Sequence, residues 1–152
     1  MSAEAKIAEL GLELPTPPTP GGTYRPVVQV GDTCYVSGHG PVQQDGSMIT
    51  GRVGSELSEQ EGNQAARVVG LAILASLQAH LGSLDRVRQF VKVLGMVNAS
   101  PDFDTHPAVI NGFSDLMVEV FGESGRSARS AVGMGSLPGN IPVEVEVIVQ
   151  VE

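Results

Sequence analysis

The sequence predicts an α+β fold of order β-β-α-β-α-β-β, a mixed sheet with two helices on one face. Three observations predict it. Valine occupies every odd position from 143 to 151, the two-residue period of a strand with one buried face. Ser58-Glu59-Gln60-Glu61 matches a capping box, in which Ser58 and Glu61 satisfy free amides at a helix start. Val27–Val30 and Thr33–Ser37 flank Gly31-Asp32, a tight hairpin signal.

Taken in order, residues 1–14 form a short helix with Ile7, Leu10 and Leu14 on one side. Pro15-Thr16-Pro17-Pro18-Thr19-Pro20 stops it, because such proline density favours extended polyproline backbone. Residues 1–21 therefore read as an N-terminal extension with a proline-rich connector, and residues 22–152 as the folded domain. After the hairpin, Asp45-Gly46 marks a further turn, with at most a small extra strand near Met48. The helix from Ser58 runs to about His80 and stops at Gly82. Its core-facing residues include Ala65, Val69, Ile73, Leu77 and Leu81, and its alanines allow close approach to a sheet.

Arg86–Asn98 reads as a long strand in which Val87, Val91, Val93 and Val97 alternate with Phe90, Leu94 and Met96. Asp104 or Thr105 caps a second helix with Pro107 in its first turn. Val109, Phe113, Leu116, Met117 and Val120 form its apolar stripe, and Gly122 ends it. Arg129–Met134 is a strand, Leu137-Pro138-Gly139-Asn140 a turn, and Val143–Val151 the last strand, with Glu144, Glu146, Ile148 and Gln150 opposite its valines. Two helices cover one face only, and the valine stripes mark that face. Phe90, Leu94, Met96 and Ile148 are then left on the other, and an uncovered apolar face suggests a homo-oligomer that closes sheet against sheet.

Composition narrows the function classes. The 152 residues suit one domain, and that length buries enough surface to need no disulfide or metal. With 9 basic and 17 acidic residues the net charge is −8, which opposes phosphate contact, and aromatics at 4% leave few stacking platforms for nucleic acid. Cys34 is the only cysteine, so no intrachain disulfide forms, and it reads as a small core residue inside an apolar strand. The acidic start lacks the pattern of a signal peptide, and the longest apolar run, Val68–Leu77, is about half of the ~20 residues that span a bilayer. The chain reads as soluble and cytoplasmic, with no membrane partner.

No phosphate-binding loop, dinucleotide fingerprint or nucleophile elbow occurs. His39, His80 and His106 lack metal-ligand spacing, so neither a metal nor a cofactor is expected. What remains are polar residues at strand ends. Arg126 and Arg129 stand beside a strand in a chain poor in basic residues. A guanidinium fork binds a carboxylate through two parallel hydrogen bonds; it serves equally to hold Glu144 or another carboxylate at a sheet edge. Glu144 and Glu146 share one strand face, where neighbouring carboxylates raise a pKa and create a usable acid or base, or simply form a solvated surface. Ser37-Gly38-His39-Gly40-Pro41 follows a strand and either presents backbone amides to a ligand or forms a plain turn. Tyr24 and Asn98 are further candidates.

These segments, in order, resemble the Rid/YjgF family, often labelled endoribonuclease L-PSP. The matching pieces are Gly22-Thr23-Tyr24-Arg25-Pro26, Tyr35-Val36-Ser37-Gly38-His39-Gly40-Pro41, Gln64-Ala65-Ala66, Val93 to Asn98, Ala128-Arg129-Ser130-Ala131-Val132 before Leu137-Pro138, and Val143-Glu144-Val145-Glu146. The proline-rich lead-in and Val109-Ile110-Asn111-Gly112-Phe113-Ser114-Asp115-Leu116 look like a distinct, longer subgroup. The resemblance implies a chorismate-mutase-like fold and a homotrimer whose sheets form a central barrel, with a ligand cleft between each pair of subunits. It implies hydrolysis of reactive enamine or imine carboxylates to 2-keto acids and ammonia without a cofactor. By the same resemblance Arg129 binds the substrate carboxylate, Glu144 positions or activates water, Tyr24 and Ser37 line the cleft beside Gly38, and Asn98 faces it. Ala131 stands where many active deaminases have cysteine, and Gly133-Met134-Gly135-Ser136 departs from their loop. A non-catalytic binder of small carboxylate metabolites is the alternative. The ribonuclease label ranks last, since the acidity opposes RNA.

Overall fold

The computed structural model describes all residues, 1–152. Five strands form one sheet: β1 (Val27–Val30), β2 (Thr33–His39), β3 (Val87–Asn98), β4 (Ala128–Met134) and β5 (Val143–Val151), in the order β1-β2-β5-β3-β4. β3 and β4 run parallel and every other pair is antiparallel, so the sheet is mixed, as expected. The parallel pair follows from its connection, since α3 (His106–Phe121) carries the chain back across one face between β3 and β4.

The first hairpin turns at Gly31, whose φ of 60° is the left-handed conformation the tight turn needs. α2 (Glu59–Leu81) starts with the complete Ser58–Glu61 capping box and ends at Gly82, with φ 82°. Gly70 of α2 meets Leu116 and Met117 of α3, where an added Cβ would collide. At the start of α3, Thr105 occupies the cap position, but its hydroxyl donates to Glu59 instead of capping the helix. The small strand near Met48 reduces to one bridge, Val42 to Met48.

Both long helices cover the valine face. Val143, Val145, Val147, Val149 and Val151 are buried with Ile73, Leu77, Val109 and Phe113. The short helix α1 (Ala3–Glu9) also docks there: Ile7 joins the core, and the Glu4 carboxylate accepts from Gln78 Nε2 and the Leu84 amide. Leu10, expected on the buried side of that helix, is 40% exposed, because the helix ends before it.

One side chain changes face from the expectation. Phe90 is fully buried under the helices, against Phe113 and Phe121, instead of on the open face. β3 pairs Phe90 with Val149 and then Lys92 with Ile148, so Val91 is an extra residue in a bulge. A one-residue insertion reverses the alternation, which turns Phe90 inward and leaves Val91 44% exposed. Leu94, Met96 and Ile148 lie on the open face as expected, half-buried beside exposed Val28 and Tyr35. Across them runs a hollow of about 420 Å³ bounded by Val28, Tyr35, Lys92, Leu94 and Ile148.

Candidate active site

A cleft of about 700 Å³ opens on the uncovered face where β2 ends and β5 begins. Tyr24, Ser37, Gly38 and Glu144 all line it, with Glu146, Met48 and the turn at Pro138–Gly139 completing its walls. Local structure explains the grouping. Ser37 donates from Oγ to the Arg25 carbonyl at 2.7 Å, and the Ser37 amide donates to Pro26 O at 2.9 Å, which ties the segment carrying Tyr24 to β2. Tyr24 is half exposed, and its hydroxyl accepts from the Gly21 amide at 3.2 Å. At Gly38 a Cβ would collide with the Glu144 carboxylate, so glycine makes the room that this side chain fills.

Glu144 is half-buried and takes no hydrogen bond from the chain. Burial pushes its pKa above the usual carboxylate range, and the like charge of Glu146 adds to the rise. The two carboxylates share one strand face, as their spacing requires.

Arg129 is elsewhere. It pairs with Val93 in the parallel register, and Val93 is buried beneath the helices. Arg129 thus lies on the helix-covered side of the edge strand, while Glu144, opposite Met96, lies on the open side. Its guanidinium donates to Ser114 Oγ at 3.1 Å and weakly to Pro107 O at 3.5 Å. Neither Glu144 nor any other carboxylate pairs with it; the ion pairs are Lys6–Glu9, Arg67–Glu119, Arg88–Glu152 and Arg126–Glu123. The two arginines of one segment therefore divide the two roles open to them, Arg126 closing on Glu123 at 3.2 Å and Arg129 keeping its charge free.

Asn98 ends β3 but does not line the cleft. It is 1% exposed, and its amide donates to Asn140 Oδ1 and Ile141 O and accepts from Arg52 Nε at 3.3 Å. Arg52 also donates to Gly135 O at 2.6 Å. Asn98 and Arg52 together fasten the two loops, 51–57 and 135–141, behind the cleft wall. Neither Arg52 nor Ser114 is a candidate from sequence: Ser114 lies in the stretch Val109–Leu116 that marks the longer subgroup, and no local pattern singles out Arg52. Cys34 is fully buried in the core, where burial raises its thiol pKa. No group of histidine, cysteine and carboxylate side chains is arranged to hold a metal ion.

The sequence profile of the family described as "YjgF/chorismate mutase-like, putative endoribonuclease" matches residues 4–149. The chain belongs to this YjgF family. Among its relatives, protein TCP17 of Trypanosoma cruzi is 42% identical over 147 residues, covering 96% of this chain and 92% of that one. A 2-iminobutanoate/2-iminopropanoate deaminase of Dermatophagoides farinae is 32% identical over 142 residues, covering 93% and 95%. A crystal structure from Shewanella oneidensis that carries the same endoribonuclease label superimposes with a TM-score of 0.95 at 31% identity, covering 99% of this chain and all of that one. The YjgF match begins inside α1, so the N-terminal helix that docks on the core falls within the matched region. No helix is long and apolar enough to cross a membrane.

Proposed function

We propose that this YjgF-family chain hydrolyses small enamine or imine carboxylates to 2-keto acids and ammonia, in a cleft that two neighbouring copies of a homotrimer complete together. The observation that carries the reading is the meeting of Tyr24, Ser37, Gly38 and Glu144 in one open cleft, with burial raising the Glu144 pKa. The deaminase relative supports the reaction class.

The chemistry asks little of the protein. An iminium carbon is already electrophilic, so it needs orientation and one general base. Glu144 takes a proton from water as the water oxygen bonds to the imine carbon and the C=N electron pair moves to nitrogen. The same carboxyl then returns that proton to nitrogen; as the C–N bond breaks, the hydroxyl oxygen forms the second C=O bond and its proton passes to the Glu144 carboxylate, from which the leaving ammonia carries it away as ammonium, so that a 2-keto acid is left. A raised Glu144 pKa makes its carboxylate a stronger base for the first transfer. An enamine enters the same route after taking a proton at its β-carbon.

Arg129 serves as the carboxylate anchor, since it is the strand arginine with its charge unpaired. From its own protomer it lies on the wrong face to reach Glu144. Closing open sheet faces into a barrel would bring the β4 edge of one copy beside the β2–β5 cleft of the next. That arrangement also covers Val28, Tyr35 and Ile148. Asn98 and Arg52 would hold the cleft wall, with Asn98 acting behind the substrate.

The test is a coupled assay on freshly generated 2-aminoacrylate, following ammonia and pyruvate. Acceleration lost in Arg129→Ala is expected. No acceleration, together with a thermal shift by 2-keto acids that Arg129→Ala abolishes, would leave the same cleft as a binding site only.

A further inference from the structure

His39 belongs to the segment that lines the cleft, yet its ring points away from it and is 5% exposed. Nδ1 lies 2.6 Å from the Ser37 carbonyl oxygen, and Nε2 lies 2.8 Å from Ser76 Oγ on α2. A carbonyl oxygen only accepts, so Nδ1 carries the proton. In the neutral ring Nε2 then accepts from the Ser76 hydroxyl. Burial holds the ring neutral by pushing its pKa below the ordinary histidine value.

The contact falls at an irregularity. β2 pairs with β5 in register through Val36–Val147 and resumes at His39–Val145, so Ser37 and Gly38 together stand against the single residue Glu146. These two residues line the cleft, and Gly38 is the one packed against the Glu144 carboxylate. An unpaired bulge of this kind needs something to fix its shape. Here a side chain two residues on holds the Ser37 carbonyl, and a buried serine on another layer holds that side chain.

We infer that His39 is a positioning residue for Glu144, clamping the Ser37–Gly38 bulge so that the Gly38 backbone closes over the carboxylate and keeps water from one side of it. The clamp runs from the helix layer through the sheet: Ser76 to His39 to Ser37, and through the bulge to Glu144. It makes β2, and not the carboxylate pair alone, a determinant of how Glu144 titrates. The other titratable groups facing Glu144 are Glu146 beside it and Tyr24 across the cleft.

This inference rests on the reading of Glu144 as the general base, but its test does not need turnover. The Glu144 carboxyl is followed by carbon-13 NMR across a pH titration in the full-length wild type, His39→Leu, His39→Asn and Ser76→Ala. With His39→Leu the bulge loses its clamp, water returns, and the Glu144 midpoint falls toward the ordinary carboxylate range. With His39→Asn the amide still reaches the Ser37 carbonyl but no longer Ser76, so the midpoint falls by less than in His39→Leu. Should His39→Leu fail to fold, Ser76→Ala carries the same expectation of a downward move, by less. A folded His39→Leu or Ser76→Ala with an unmoved midpoint overturns the inference, as does His39→Asn behaving like His39→Leu. If the protein also turns over an imine, kcat in His39→Leu falls about tenfold with little change in KM, the mark of a weakened general base. Absence of any turnover with the midpoint moving as stated would refute the deaminase reading and leave this one standing.

Discussion

Glu144 and Arg129 occupy two faces of one sheet and are held in different ways. Glu144 stands on the open face, without a hydrogen bond, desolvated by a bulged neighbour strand and pressed by Glu146. Arg129 stands on the helix-covered face at the sheet edge, steadied by the Ser114 hydroxyl and left without a counter-ion. The first environment tunes a proton affinity; the second keeps a fixed charge available at a boundary. Neither is a site by itself. What separates them is the sheet, and the same separation divides the valine stripe of β5, fully covered, from Glu144, Glu146, Ile148 and Gln150 on its other side.

The largest effects should fall on these two residues and differ in kind. Glu144→Gln removes the base and lowers kcat by about 10²–10⁴-fold with KM little changed. Arg129→Ala removes a charge-assisted fork and lowers kcat/KM by about 10²-fold, much of it through KM. Steady-state kinetics on 2-aminoacrylate separates the two patterns; equal patterns would mean that one environment had been misread.

Phe90→Ala should destabilise by about 3–5 kcal/mol, because it empties a site between α3 and the sheet. Val91→Ala, one residue away on the open side of the bulge, should cost about 1 kcal/mol or less in the isolated chain. Urea denaturation of both variants checks it, and a larger loss at Val91 would place the bulge elsewhere.

That bulge also marks where sequence stops being legible. Alternation located β5 to the residue, because no insertion interrupts its valines, and the capping box located the start of α2. Alternation misassigned Phe90 because bulges after Val87 and Phe90 reset the count, and nothing local announces an extra residue. Glu144 and Glu146 could be put on one face from spacing alone. That Arg129 faces the other way could not, since it depends on β4 pairing in parallel at the edge of the sheet. Asn98 carries an amide suited to a ligand, and only tertiary structure reveals that Asn140, Ile141 and Arg52 already occupy it.

A smaller effect sharpens the Glu144 side. Gly38→Ala puts a methyl group into the carboxylate's place and should cost about 1–3 kcal/mol of stability, with a matching loss of activity. Gly135→Ala, whose Cβ would meet open space, should leave stability unchanged by calorimetry.

The smallest is a pH dependence with a definite sign. A carboxyl whose folded pKa lies above its unfolded value binds more protons when folded, so its contribution to stability is present at acid pH and is lost as pH rises through the folded pKa. Glu144→Gln should therefore raise Tm relative to wild type at pH 7.5, and by less at pH 4. A Tm lowered at neutral pH would contradict the raised pKa.

In the proposed trimer one active site is made by two copies, with Arg129 from one and Glu144 from the other. Co-refolding the inactive Arg129→Ala and Glu144→Gln chains tests it most directly. Random assortment in a cyclic oligomer restores both wild-type residues in about one site in four, so the mixture should recover a comparable fraction of wild-type 2-aminoacrylate turnover. Mixed oligomers, verified by native mass spectrometry, that remain as inactive as their parents would contradict the account.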